Sequence, residues 1–375
     1  MAKPYTISGL YIKDDKHLGL LVYSPFSGLI HAVSRDNKHE VLSWVNGNDE
    51  HKEKYSEIVR SIGELDSVQF KTTHFLPSLQ SFPLTTHCES PILINWMLTK
   101  SCALKCKYCF ARDIIQSDEP ENIDSIPIIA NTILSKHPLA VVLTGGDPLS
   151  SPYFSEALDA LKGKVGIIVD TNGVGLTTEI AASIHSASAV MRISIDSHNH
   201  KDNNLLRCSK STSVNAHNAA INAISTCKEL GIPYSVHTVL TKRSMTTLRP
   251  LGNALFFMGV KSWRIFALCP FGDKTLWSTL HPSERNEQYY TEEILARRNS
   301  PSGWNRKMSV QIVPSSRPES VILVTPSGRF MLQPTGKDHK IPVDEQSPSN
   351  PSIGKIMDSI DVTGHIERYL NLQSR

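Results

Sequence analysis

The sequence predicts an α/β protein built around a partial (β/α)6 barrel of the TIM type, and three observations carry that prediction. Six short apolar runs alternate with five helical patterns, a strand-rich segment precedes them, and polar turn motifs fall at the carboxyl ends of the runs. The runs are Ile92–Leu98, Ala140–Leu143, Gly166–Val169, Met191–Ile195, Tyr234–Leu240 and Trp263–Leu268, with helices expected near 125–136, 153–162, 177–187, 214–230 and 246–258. Strict alternation demands a mostly parallel sheet, and right-handed crossovers place every helix outside. In such architectures ligands sit at the carboxyl ends of the strands.

The flanks read differently. Residues 1–88 form a small α+β unit: Tyr5–Ile12 and Leu18–Val33 are strand-like, turned at Ser24-Pro25-Phe26-Ser27-Gly28, which predicts two or three strands. Val41–Val45 and Tyr55–Ile62 then have helical spacing, and the Pro- and Ser-containing stretch Phe75–Pro83 reads as a linker. The barrel is expected over 89–275. A C-terminal extension, 276–375, holds a helix near 283–297, a hairpin of Val321–Thr325 and Arg329–Leu332 around Pro326-Ser327-Gly328, and a last helix near 364–373.

Composition narrows the function classes. The chain has 375 residues, and 39 Lys plus Arg against 36 Asp plus Glu leave a net charge of +3. That balance makes no electrostatic case for nucleic acid or an anionic membrane as principal partner. No apolar run approaches the roughly 18 residues that span a bilayer, and the N-terminus lacks a signal-peptide core. Seven cysteines, an odd number with three in one loop, fit a reducing compartment, so a cytoplasmic protein is expected.

Those three, Cys102, Cys106 and Cys109, have C-x3-C-x2-C spacing in Ser101-Cys-Ala-Leu-Lys-Cys-Lys-Tyr108-Cys-Phe110. Three thiolates without a fourth protein ligand suit a [4Fe-4S] cluster with one open iron. Structural zinc, with His87 or Cys88 closing the tetrahedron, is the other reading. Thr144-Gly145-Gly146-Asp147 ends the second run, where two glycines allow close backbone approach and Asp147 can meet an ammonium group. Asp170-Thr171-Asn172-Gly173 ends the third and is equally readable as a turn. In Ser194-Ile195-Asp196 a period of two aims Ser194 and Asp196 into the barrel, toward hydroxyl groups of a ligand.

Taken together, these motifs resemble a radical SAM enzyme over about residues 91–275. The resemblance implies one [4Fe-4S] cluster on Cys102, Cys106 and Cys109, with S-adenosylmethionine (SAM) chelating the open iron. It further implies cofactor contacts from Tyr108 near adenine, from Gly145, Gly146 and Asp147 at the methionine ammonium, from Asn172, from Ser194 and Asp196 at the ribose, and from Arg207 at the SAM carboxylate. Asp147 departs from the glutamate usual there. Asp170 and Thr171, with Asp196, are a candidate monovalent-cation site. Ala267-Leu-Cys269-Pro-Phe-Gly272 resembles the segment that closes the adenine pocket, and Cys269 is a candidate hydrogen-atom donor, with buried structural cysteine as the other reading. Cys88, Cys208 and Cys227 are expected to be unligated.

The C-terminal hairpin resembles the extension of radical SAM peptide maturases and of the molybdenum-cofactor cyclase, but no cysteine follows Cys269, which predicts a single cluster. The N-terminal unit resembles a winged-helix-like module that holds a leader peptide by strand addition; a structural cap is the alternative. The leading expectation is an oxygen-sensitive enzyme that modifies a peptide or protein, with a low-potential electron donor such as flavodoxin or ferredoxin. A small-molecule or nucleotide substrate, and a non-catalytic iron-sulfur electron-transfer or peptide-binding protein, are the alternatives.

Overall fold

The computed structural model describes residues 3–7, 10–25, 29–33, 38–45, 87–118, 121, 126–268, 274–300, 303–304, 307–313, 320–332 and 351–369. The helical pattern at Tyr55–Ile62 and the linker at Phe75–Pro83 lie outside them.

The barrel strands are β5 (Leu93–Met97), β7 (Ala140–Thr144), β8 (Gly166–Thr171), β9 (Val190–Ser194), β11 (Tyr234–Leu240) and β12 (Ser262–Ala267); four strands of the N-terminal unit precede them, and the short β6 (Leu104–Cys106) and β10 (Arg207–Ser209) fall between them in sequence. The six barrel strands are the expected ones, within two residues at each end, and neighbours among them pair in parallel. Runs such as Ala-Val-Val-Leu-Thr in β7, buried at every position, are what a sheet covered on both faces requires. Outside, the helix Phe154–Leu161 buries Phe154, Ala157, Leu158 and Leu161 along one stripe. The helix Ala216–Leu230 starts at Asn215, whose side chain accepts from the Asn218 amide, and stops at left-handed Gly231.

The sheet extends beyond the six strands. β13 (Ser309–Val313), which periodicity alone does not reveal, adds in parallel beside β12. The hairpin β14 (Ile322–Val324) and β15 (Phe330–Leu332) adds beside β5, giving nine strands in the order β13-β12-β11-β9-β8-β7-β5-β14-β15. No pairing among the described residues joins its two edges, so the barrel is open.

The N-terminal unit is a four-stranded antiparallel meander: β1 (Tyr5–Ile7), β2 (Leu10–Asp15), β3 (Gly19–Ser24) and β4 (Leu29–Val33), followed by the helix Lys38–Val45. Four strands replace the expected two or three because the run Tyr5–Ile12 divides into β1 and β2, which pair antiparallel, while the expected turn after Ser24 separates β3 from β4. It packs against the amino ends of the barrel strands. The Tyr23 hydroxyl donates to the Ile167 carbonyl (3.2 Å), and a Cβ on Gly166 would lie 2.4 Å from the Tyr23 ring. Lys13, 1% exposed, donates to the Ser90 and Pro91 carbonyls just before β5. Tyr11, Leu21, Tyr23 and Ile30 share one apolar core with the barrel.

At the other chain end, the helix Val362–Tyr369 returns to the barrel. His365 is fully buried; its Nδ1 lies 2.7 Å from the Ser320 carbonyl and its Nε2 accepts from the Ile92 amide (3.0 Å). Only the tautomer protonated at Nδ1 satisfies both contacts.

Candidate active site

The cysteine loop leaves the carboxyl end of β5 and is fastened on two sides. On one, β6 (Leu104–Cys106) pairs with β10 (Arg207–Ser209), an antiparallel ladder that puts Cys106 opposite Arg207, and the Lys107 amide donates to the Leu206 carbonyl (2.9 Å). On the other, the Gly146 and Asp147 amides donate to the Thr99 and Ser101 carbonyls at 2.7 and 2.8 Å. A Cβ on Gly145 would stand 2.5 Å from the Thr99 carbonyl oxygen, and one on Gly146 2.1 Å from that of Ser101. The two glycines therefore let β7's end press against the chain entering Cys102.

All three cysteines are partly buried and line a cavity of about 650 Å³ at the carboxyl ends of the strands. Burial pushes the Cys102 thiol up to about 11 and Cys106 to about 12, and raises Cys109 too. Metal binding displaces such protons, since the thiolate is the ligand. The Leu104 amide (3.4 Å) and Asn172 Nδ2 (3.6 Å) both point at Cys102 Sγ.

The tetrahedral zinc reading does not fit. His87 and Cys88 precede β5 whereas the three cysteines follow it; a five-residue strand places the groups about 16 Å apart. Cys88 Sγ instead donates to the Ser90 carbonyl (3.0 Å) and to Asp15 (3.4 Å), beside the N-terminal sheet. Among the described residues no three His, Cys, Asp or Glu converge on a position for a single metal ion. Three thiols on one fixed loop, opening onto a cavity, fit an iron-sulfur cluster with an open coordination position. Cys208 donates to the Leu205 carbonyl, and buried Cys227 packs on Met191. Cys269, with Pro270 to Gly272, lies outside the described residues.

Asp147 lines the cavity, and its carboxylate is engaged at the end of β8. Buried at 3% exposure, its carboxylate accepts from the Leu149 amide, the Thr171 hydroxyl and the Asn172 amide at 2.8–3.0 Å. Burial lifts its pKa to about 6 against the lowering effect of those donors. The shorter side chain braces the end of β8, and through Asn172 it reaches Cys102.

β9 ends at Ser194, which lines the cavity, whereas Asp196 lies past the strand with no exposed surface. Its carboxylate accepts from Arg207 Nε (2.8 Å), from the Val239 amide (2.9 Å) and from the Tyr108 hydroxyl. The Arg207 guanidinium lies 5.6 Å from the Tyr108 ring centre, and both residues line the cavity. Asp196 thus holds Tyr108 and Arg207, the residues expected at the adenine and the SAM carboxylate, together.

The proposed cation site does not assemble. Asp196 is neutralised by Arg207, the Thr171 hydroxyl is given to Asp147, and Asp170 faces Arg192, Arg264 and Arg368, a field that repels a cation. Sequence reasoning passed over those three arginines and His237, which line the lower part of the same cavity. A charged residue inside an otherwise apolar parallel strand, as in Val-Met-Arg192-Ile-Ser and Ser-Trp-Arg264-Ile-Phe, was the available signal.

Comparison with known proteins falls on the same residues. Residues 96–251 match the sequence profile of the radical SAM superfamily. The AdoMet-dependent heme synthase of Nitratidesulfovibrio vulgaris is 28% identical over 203 residues, 51% of this chain and 52% of that protein. The mycofactocin maturase MftC of Mycobacterium tuberculosis is 27% identical over 199 residues, 52% of this chain and 49% of its own. This chain thus spans about half the length of these curated relatives. Streptococcus suis SuiB, in a crystal structure bound to its precursor peptide SuiA, superposes with a TM-score of 0.56 at 13% identity, covering 88% of this chain and 83% of SuiB; that likeness is one of fold.

Proposed function

Because residues 96–251 form a radical SAM domain, we propose that this protein binds one [4Fe-4S] cluster on Cys102, Cys106 and Cys109 and reductively cleaves SAM to start hydrogen-atom abstraction from a peptide or protein. When bound, the cluster and SAM supply a one-electron cleavage that yields methionine and a 5'-deoxyadenosyl radical. The observation that carries the reading is the cysteine loop itself, tied to Arg207 by a ladder and to Gly145-Gly146 by close backbone approach, and opening onto the large cavity.

The chain's own residues then divide the work. Gly145, Gly146 and Asp147 fix the path of the loop; Asn172 orients Cys102; Ser194 offers its hydroxyl at the rim. Arg207, oriented by Asp196, presents a guanidinium for the SAM carboxylate, and Tyr108, held by the same aspartate, offers a ring face for adenine. Backbone and side-chain donors to a metal-bound sulfur are the outer contacts that hold such ligands in place.

A peptide substrate is supported by the names of MftC and of SuiB with its precursor peptide. The relative named as a heme synthase favours a second reading, a small molecule, and the arginines below the rim suit an anionic one. For residues 1–88 we favour a structural cap over a leader-peptide module, because Tyr23 and Lys13 engage the barrel's amino end, opposite the cavity. Residues 89–275 are then the catalytic unit and 276–375 the extension, with a flavodoxin or ferredoxin as electron donor.

Anaerobic reconstitution with iron and sulfide, then SAM and dithionite, tests the reading. The expected result is about four iron atoms per chain and stoichiometric 5'-deoxyadenosine and methionine, both lost in Cys106→Ala. A loaded cluster with no SAM cleavage would refute it, and about eight iron atoms would refute the single cluster.

A further inference from the structure

Below the rim of the cavity lies a second inward-facing layer, and it is charged. Two residues below Ser194 on β9 comes Arg192; below Val239 on β11 comes His237; below Phe266 on β12 comes Arg264, and Asp170 pairs in register with Arg192. Each step of two residues descends about 7 Å. Barrel interiors at this depth are ordinarily filled by branched apolar side chains. Arg368 joins the layer from the C-terminal helix.

Charge in this layer does not balance. Arg192 Nη1 stands 3.7 Å from Asp170 Oδ1, a loose ion pair, and Arg264 donates to the Arg368 carbonyl (2.7 Å). Buried Arg264 Nε and His237 Nε2 have no hydrogen-bond partner, nor does Asp170 Oδ1. Phe266 steadies the group, with the Arg264 and Arg368 guanidinium carbons 5.4 and 5.5 Å from its ring centre and the His237 ring at 4.9 Å. The cavity's other described carboxylate, Asp147, is already satisfied at β8. Three guanidinium groups face one carboxylate, and uncompensated buried charge is costly. Burial, with repulsion from Arg192 and Arg368, brings the Arg264 pKa down to about 9, while burial and the same arginines keep His237 neutral.

On the radical SAM reading of this cavity, we propose that Arg192, Arg264 and Arg368 form an oxyanion pocket that anchors a carboxylate or phosphate of the substrate in the lower half of the barrel. The guanidinium fork matches both groups. Arg207 at the rim remains for the carboxylate of SAM, so two anions occupy two levels, and the body of the substrate is left facing the cysteine loop.

Calorimetric titration of the cluster-loaded protein, with saturating SAM and no reductant, tests this with three probes: N-acetylglutamate amide, its neutral counterpart N-acetylglutamine amide, and pyrophosphate. At least one anion is expected to bind tenfold or more tightly than the neutral amide, and Arg264→Gln and Arg368→Gln should each weaken it at least tenfold, with Arg264→Lys between. Preference for the glutamate probe identifies an acidic peptide, and preference for pyrophosphate a phosphorylated small molecule. Anions that bind no better than the neutral amide, anions displaced by SAM, or Gln variants of parental melting temperature and parental affinity would overturn the pocket. Should Arg264→Gln not fold, Arg368→Gln, on a partly exposed helix position, decides. Assaying 5'-deoxyadenosine on the same preparation separates the two ideas: cleavage without anion binding removes the pocket alone, and anion binding without cleavage removes the radical reading alone.

Discussion

Asp196 serves three donors at once, Arg207 Nε, the Tyr108 hydroxyl and the Val239 amide, from a position with no exposed surface. Removing its charge leaves Arg207 buried without a counter-ion, and breaking such a pair costs about 3–5 kcal/mol. Asp196→Asn should therefore lower unfolding free energy by about that amount in urea melts and weaken SAM binding. Ser194→Ala, which removes a rim hydroxyl, should leave stability nearly intact. Gly146→Ala drives a Cβ into the Ser101 carbonyl and should reduce bound iron and sulfide per chain, whereas Gly354→Ala, whose Cβ comes no nearer than 3.9 Å to the Ser352 hydroxyl, should retain both. The sequence made the motif positions visible but not the direction of their side chains. Asp196 follows Ser194 by two residues, but the strand stops at Ser194, so strand alternation no longer governs it. Nor does a short acidic side chain after two glycines reveal that it will turn inward to cap its own loop, as Asp147 does.

His365 sets the behaviour of the C-terminal helix. Burial presses its pKa down to about 4, so its contribution to stability is full above its unfolded value of about 6.5 and is lost as pH falls toward 4. At pH 5 the loss is about 2 kcal/mol. Urea melts at pH 7.5 and pH 5 should differ by that amount more in the parent than in His365→Gln. Elements with strong periodicity, the six barrel strands and their helices, were legible within a residue or two. The ladder of β6 and β10 was not: Leu-Lys-Cys and Arg-Cys-Ser have no strand composition, and each forms only because the other lies across from it. β13 is likewise a strand by virtue of the open edge of β12.

At the scale of the whole molecule, the N-terminal meander closes the end of the barrel opposite the cavity. Tyr23 over Gly166 and Lys13 on the Ser90 and Pro91 carbonyls make it part of one core. Deleting residues 1–85 should then abolish both SAM cleavage and cooperative melting; a truncated chain that still melts cooperatively and cleaves SAM would mark the meander as a separate recognition module. Fold class was legible here because alternation of strand and helix is a property of the whole chain. The charged lower layer was not, because Arg192, His237 and Arg264 are far apart in sequence and meet only once the strands are in register. The close approach of Gly145 and Gly146 to Thr99–Ser101 also bears on how this scaffold diversifies. The first two loops of the rim are interlocked through backbone, with no side chain between them to absorb a change, so neither tolerates an insertion without displacing the other. Variation in what the cavity accepts is thereby channelled away from these two interlocked loops, toward the other strand ends that line the rim.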